Sequence, residues 1–253
     1  MIGGKAGACA ATAAGAMFCF LAQPAAAGCQ DGPGPKVDWT GCSKRQLMLT
    51  GQDLSGAVFT RAMLSSSDFR KARFAGGALV EADLNFARFD GADLSGADLS
   101  KAAGWQTSFK DAQLPRAKLV TAQMSRASFI GANLAGAVLA KAELNRSDFT
   151  GADLTGADLS KAELSRVSLT KAKIAGVNFA FSNLARARLD GLDFAGVKLG
   201  GAYLYRTGLD GADLSGATGL KPEQLELACG TAATKLPAGL SAPKSWPCRS
   251  DED

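Results

Sequence analysis

The chain contains no histidine. That absence removes Ser/His/Asp and Cys/His nucleophile systems and every metal site that needs an imidazole ligand. Aromatic residues with a polar handle are scarce, with two tyrosines and three tryptophans among 253 residues. Alanine, leucine and glycine take their place, a bias typical of one simple unit repeated many times. Strong net charge is also missing: the formal value is +4, which argues neither for broad nucleic-acid affinity nor for attraction to acidic membranes. Apolar runs are short for a membrane-spanning helix, which makes permanent anchoring the weaker alternative to export. The longest, residues 6–22, follows Met1-Ile2-Gly3-Gly4-Lys5 and precedes Pro24 and Ala25-Ala26-Ala27. A cationic start, a short apolar stretch and an A-x-A ending predict a secretory signal peptide cleaved after Ala27. The mature chain would then carry 27 basic and 24 acidic residues, a net +3.

What the sequence has in abundance is a period of five. From Leu49 to Leu214 every fifth residue is large and apolar: 22 Leu, nine Phe, Met124 and Ile174 in 34 positions, with Gly104 the one failure. Two residues before nearly all of them comes a small one, alanine in 22 of the 34, as in Ala92-Asp93-Leu94-Ser95-Gly96. Five is neither the helical 3.6 nor the strand period of 2, so the pattern is that of a solenoid. The residues two after each large one sort into files by steps of 20. One file reads Arg126, Arg146, Arg166, Arg186 and Arg206; another is almost all glycine from Gly56 to Gly216, broken by Arg116. Four units therefore close one coil of square cross-section, and about eight and a half coils result.

With its A-(D/N)-L-x-x units the chain resembles the pentapeptide repeat proteins over residues 47–217. The resemblance implies an all-β, right-handed quadrilateral β-helix with the large residue and the small one two before it pointing inward. A lumen lined by one Leu or Phe per side leaves room only for small partners beside it. The expected division is a signal peptide at 1–27, an N-terminal cap segment at 28–46, the β-helix at 47–217, and a capping helix with a tail at 218–253. Within the last, residues 221–228 read as a short helix begun by Pro222 and stopped by Gly230.

Four cysteines remain beyond residue 27: Cys29, Cys42, Cys229 and Cys248. At about 4.8 Å per coil the rod is about 40 Å long, far beyond the reach of a disulfide. Cys29–Cys42 and Cys229–Cys248 are therefore expected, each stapling one end in an oxidising compartment. The competing use of Cys29 is lipidation behind Ala26-Ala27-Gly28, although Ala26 stands where such signals carry leucine. Membrane association is expected only if Cys29 is lipidated.

The outward file Arg126, Arg146, Arg166, Arg186 and Arg206 shares its face with Phe86, Trp105 and Tyr205. One reading neutralises it by solvated ion pairs, Glu143 with Arg146 and Glu163 with Arg166. The other makes it a basic contact strip for an acidic protein face or an anionic polysaccharide. Gly104 and Trp105 read as a bulge tolerated in one coil or as a ligand notch. Repeat aspartates such as Asp93, Asp98, Asp153 and Asp158 point away from one another, and Asp193 with Asp213 would hold an ion weakly at best, so no metal site is expected. No cofactor and no catalytic residue is nominated, since no polar groups converge in a cleft. The expected function is a non-enzymatic scaffold or recognition rod of the periplasm or cell envelope, with an unidentified protein or anionic envelope polymer as partner. The alternative that the resemblance suggests is a DNA-mimicking topoisomerase-binding protein. The 20 basic and 17 acidic residues of 47–217 oppose it, and for the same reason a nucleic-acid partner is not expected.

Overall fold

The computed structural model describes residues 28–248, together with the backbone of a two-residue antiparallel pair, β1 (Ala10–Ala11) and β2 (Met17–Phe18). The signal-peptide reading falls on residues 1–27 and lies outside the described residues, β1 and β2 apart. From Asp38↔Val58 to Lys198↔Thr218 the backbone pairs in parallel between residues twenty apart. Four five-residue sides thus make one coil of the right-handed quadrilateral β-helix that the sequence implies.

The unit is explained by where its five amides go. In the unit built on Leu54, Asp53 bridges to Arg73 of the following coil, and Leu54 N–H donates to Arg73 O at 2.7 Å. Gly56 N–H reaches Ala75 O at 3.0 Å, and Ala57 N–H closes the corner turn onto Leu54 O at 3.0 Å. In an interior unit such as that of Leu94, the Asp93 amide also donates to Ala72 O of the preceding coil. The one amide left without a backbone acceptor in such a unit lies two residues after the aspartate; its counterpart here is that of Ser55, which the Asp53 Oδ1 takes at 3.1 Å. The same Asx turn recurs at Asp83, Asp93, Asp98, Asn133, Asp153, Asp158 and Asp213. The aspartates of the repeat are corner fasteners, because an Asx side chain two residues upstream is the shortest acceptor for that amide.

Each corner is a turn with a left-handed residue in its third position. At all 36 such positions from Lys36 to Gly211, φ lies between +53° and +71°, and 21 of them are not glycine. Pairing with the neighbouring coils holds those residues in a conformation that costs an L-residue about 1–2 kcal/mol.

The interior is a stack of side chains in register. Phe69, Phe89, Phe109, Phe129 and Phe149 lie in one file with ring centroids 4.7–5.2 Å apart and planes within 12°. Ser67, Thr107, Ser147 and Thr207 take alanine positions without cost to the core, because each hydroxyl donates to a carbonyl of the preceding coil, Thr107 to Leu84 O at 2.8 Å. Gly104 is not a bulge. Ala103 pairs with both Asp83 and Gln123, and Gly104 N–H donates to Gln123 O at 2.7 Å, so the ladder runs through unbroken. The missing side chain is replaced by Met124 of the next coil, whose sulfur occupies the place a Cβ on Gly104 would take.

The coil conformation begins ahead of the clean repeat. Trp39 is buried at a central position and stacks on Phe59 at 4.8 Å, while Lys44, the next central residue, sets its ammonium 4.5 Å above the Trp39 ring. Disulfide Cys29–Cys42, with Cα atoms 5.5 Å apart, ties residues 28–42 over this end. At the other end α1 (Pro222–Leu227) replaces one side of a last, longer coil, so pairing shifts to Gly208↔Cys229 and Asp213↔Lys235. Leu225 of α1 is fully buried, and the Gln224 amide donates to Leu199 O and Ala202 O at 2.8 Å, supplying donors to carbonyls the next coil would have met. Gly230 does not stop the helix as its composition suggests; the chain is already extended at Ala228. Its bare Cα makes room for the Trp246 ring, whose Nε1–H donates to Ala228 O at 2.7 Å beside the Cys229–Cys248 disulfide.

Candidate functional site

Corner positions on one side of the rod carry the arginines into one straight file. Arg126, Arg146, Arg166 and Arg186 each donate the backbone amide to the residue just before the next arginine, as Arg146 N–H does to Ser165 O at 2.9 Å. They therefore stand directly above one another at the coil spacing. Arg126, Arg146 and Arg166 are exposed and Arg186 is half-buried. Arg206 completes the column in sequence, yet it is half-buried against the C-terminal cap and its amide donates to Leu227 O at 2.6 Å. The open strip is thus the four arginines 126–186.

The ion pairs expected of Glu143 and Glu163 do not form. Glu163 accepts instead from the Asn183 amide at 2.8 Å, and Glu143 lines a cleft with Trp105. Among the described residues, none of the arginines 126, 146, 166 and 186 makes an ion pair. A glutamate on the central strand of its side projects from a different row than the corner arginine three residues on. That offset is invisible to sequence spacing alone.

Another side of the same rod shows what neutralisation looks like. There opposite charges meet in pairs on adjacent coils: Arg73 binds Asp53, Lys173 lies 3.5 Å from Asp153, and Lys235 lies 2.9 Å from Asp213. Asp53 and Asp213 are held down to about 2, Asp53 chiefly by the hydrogen bond from Arg73 and Asp213 chiefly by that from Ser215 with Lys235 next. Asp213, which shares a file with Asp193, is thereby occupied by a cation from its own chain. Like charges on adjacent coils, by contrast, oppose one another, and the arginine file retains that arrangement over four coils.

Aromatic rings bracket the strip. Phe86 and Trp105 meet edge to face at 4.9 Å, and Trp105 stays 41% exposed. At the far end Tyr203 and Tyr205 lie parallel at 6.2 Å, exposed by 48% and 40%. Tyr203 is a member of this surface that sequence reasoning passed over; its position on the central strand of the same side was the available signal. Beside Trp105 lies a cleft of about 280 Å³ lined by Asn85, Ala103, Trp105, Gln123, Ser125 and Glu143. Its lining is amide, hydroxyl and carboxylate against one large ring. Among the described residues no group of His, Cys, Asp or Glu is arranged to hold a metal ion, and no helix is long and apolar enough to cross a membrane.

Comparison with known proteins agrees with the coil. The family model for pentapeptide repeats matches in eight copies, over residues 49–77, 67–102, 122–161, 162–201 and 182–218. Among solved structures, HetL, a pentapeptide repeat protein involved in heterocyst differentiation regulation from the cyanobacterium Nostoc sp. strain PCC 7120, is 31% identical over 82% of this chain and 94% of its own, with a TM-score of 0.46. QnrB1, a plasmid-mediated fluoroquinolone resistance protein, is 19% identical over 78% of this chain and 92% of its own, with a TM-score of 0.39. A pentapeptide repeat protein of the Arabidopsis thaliana thylakoid lumen is 24% identical over 62% and 80%, with a TM-score of 0.19. Curated proteins offer no match. The family model spans more than half of the chain, in the frame that the backbone pairing follows, and the chain belongs to the pentapeptide repeat family.

Proposed function

We propose that the protein is an exported, non-enzymatic binding rod of the periplasm or cell envelope whose working surface is the strip from Phe86 and Trp105 through Arg126–Arg186 to Tyr203 and Tyr205. The observation that carries this reading is the unneutralised file: four guanidinium groups on consecutive coils, on a rod that elsewhere pairs acid with base between adjacent coils, as Asp53 with Arg73, Asp153 with Lys173 and Asp213 with Lys235. Such a file is relieved by an anionic partner laid along it, and exposed rings beside arginine supply the apolar part of a contact surface. Export is supported by the leader-like residues 1–27 and by two disulfides that need an oxidising compartment. A DNA-mimicking role fits poorly with a repeat region of net +3.

Two measurements test the two halves. Purified protein should be retained on an anionic matrix in a salt-dependent manner, and Arg126→Gly, Arg146→Gly and Arg166→Gly together should abolish retention; glycine suits the left-handed backbone there. Retention unaffected by salt or by these changes would remove the surface from consideration. The mass of the protein from an envelope fraction should be that of a chain beginning at Gly28 with both disulfides formed and no lipid on Cys29, whereas a cytoplasmic pool retaining Met1 would refute export.

A further inference from the structure

The spacing of the strip limits the shape of what it binds. Stacked rings inside the rod measure the coil spacing at 4.7–5.2 Å, and the arginines share it because each sits one coil above the last. A partner that engages all four must present an anion at each such interval along a straight line. A β-strand with acids on one face repeats them at about 6.7 Å, so it is out of step by about 2 Å at the first rung. An extended chain of pyranose sugars advances by about one coil spacing per sugar. The end of the strip carries sugar-binding chemistry of its own: the exposed Trp105 ring beside the Asn85 and Gln123 side chains and the Ser125 hydroxyl, in a cleft of about 280 Å³. The parallel Tyr203 and Tyr205 rings offer a second stacking platform at the opposite end.

We infer that the strip is a binding site for an extended acidic polysaccharide bearing one carboxylate per sugar, with consecutive carboxylates on Arg126, Arg146, Arg166 and Arg186 and with sugar faces on Trp105 and on Tyr203 and Tyr205. Glu143, which lines the cleft, excludes a carboxylate there, so the sugar at that end is held by its hydroxyls. This inference rests on the strip being the working surface, and the experiment separates the two.

The purified chain is titrated calorimetrically with a linear homopolymer of galacturonic acid and, separately, with poly-L-glutamate of equal charge. Tighter binding of the sugar polymer by at least about tenfold is expected. Arg146→Gly with Arg166→Gly should weaken it by at least about tenfold, and Trp105→Ala by a few-fold. Lys141→Gly with Lys161→Gly removes the same charge from another corner of left-handed residues and should leave binding within about twofold. Equal affinity for the two polymers overturns the polysaccharide assignment and leaves the strip intact as an anion surface. Equal losses from the arginine and lysine pairs overturn both, because binding then follows net charge alone. Absence of arginine-dependent binding to either polymer overturns both as well.

Discussion

The Gly104 position offers a sharp test of how this core is packed. Met124 fills the space left by the absent side chain one coil below, and both residues belong to one inward file with Leu84 and Leu144. Truncating Met124 to Ala empties two successive rungs at once, so the loss should lie toward the upper end of the usual 2–5 kcal/mol for such changes. Gly104→Leu alone forces a side chain into the volume the Met124 sulfur holds and should cost about 1–3 kcal/mol. Combined, the leucine refills the rung that the alanine vacates. The double variant should therefore be more stable than Met124→Ala alone, with a coupling energy of about 2 kcal/mol or more in the stabilising direction. Urea unfolding followed by circular dichroism reads all four corners of the cycle. For a chain of this size each kcal/mol also moves Tm by about 2–4 °C. Strict additivity, or a Gly104→Leu variant as stable as the parent, would show that the two residues do not share a space.

Further outcomes follow from the corners, the charges and the ends. Asp93→Ala should cost about 1 kcal/mol by orphaning the Ser95 amide, while Asp93→Asn should keep most of it, and an equal loss in both would assign the effect to charge instead. Asp68 is pulled down to about 2, first by the Arg70 hydrogen bond, and Asp53 and Asp213 are likewise held near 2. Because these folded values lie below the unfolded one, their contribution is whole above about pH 4 and is lost as pH falls toward 2. With no histidine in the chain, Tm should stay level from pH 5 to 8; a step near pH 6.5 would contradict this. Reducing Cys29–Cys42, a 13-residue separation, should remove up to about 3 kcal/mol. It should raise amide exchange over residues 28–48 and leave the Phe69–Phe149 stack protected; uniform loss of protection would mean that the ends and middle unfold as one. Arg146→Gly should be stabilising by up to about 1 kcal/mol, the relief of a left-handed residue less the added freedom of the unfolded chain.

The coil was legible in the sequence because its period is set by geometry that every unit repeats. A side chain that must face a lumen one residue wide cannot drift, so Leu, Phe and Ala declare the frame, and outward files such as the arginines declare four units per coil. The role of Asp93 and its equivalents was less accessible. Their placement reflects one backbone amide left over when the other four are satisfied, and that count needs the hydrogen-bond pattern. Met124 substituting for Gly104 was hidden for a related reason: the two are twenty residues apart, and the compensation lies in side-chain shape and leaves no mark on the frame. At the ends the repeat disappears before the coil does. Trp39 and Lys44 hold inward positions in a segment whose residues no longer match the unit, because the outermost coil has a neighbour on one side only and tolerates a polar head turned to water.

The left-handed corners sharpen the case for the arginine strip. Glycine is the relaxed residue at these positions and, except at Arg116, fills the file from Gly56 to Gly196, where Gly176 and Gly196 bring successive coils to within 3.6–3.9 Å of a built Cβ. Stability alone would favour the same choice at Arg126, Arg146, Arg166 and Arg186, and so would the mutual repulsion of four like charges in a row. Neither packing nor ion pairing offsets these costs, since the side chains are exposed or half-buried and carry no acidic partner among the described residues. Residues held against both backbone preference and electrostatics on one file, while charges on another side of the same rod are neutralised, are placed where a contact outside the chain supplies the missing charge.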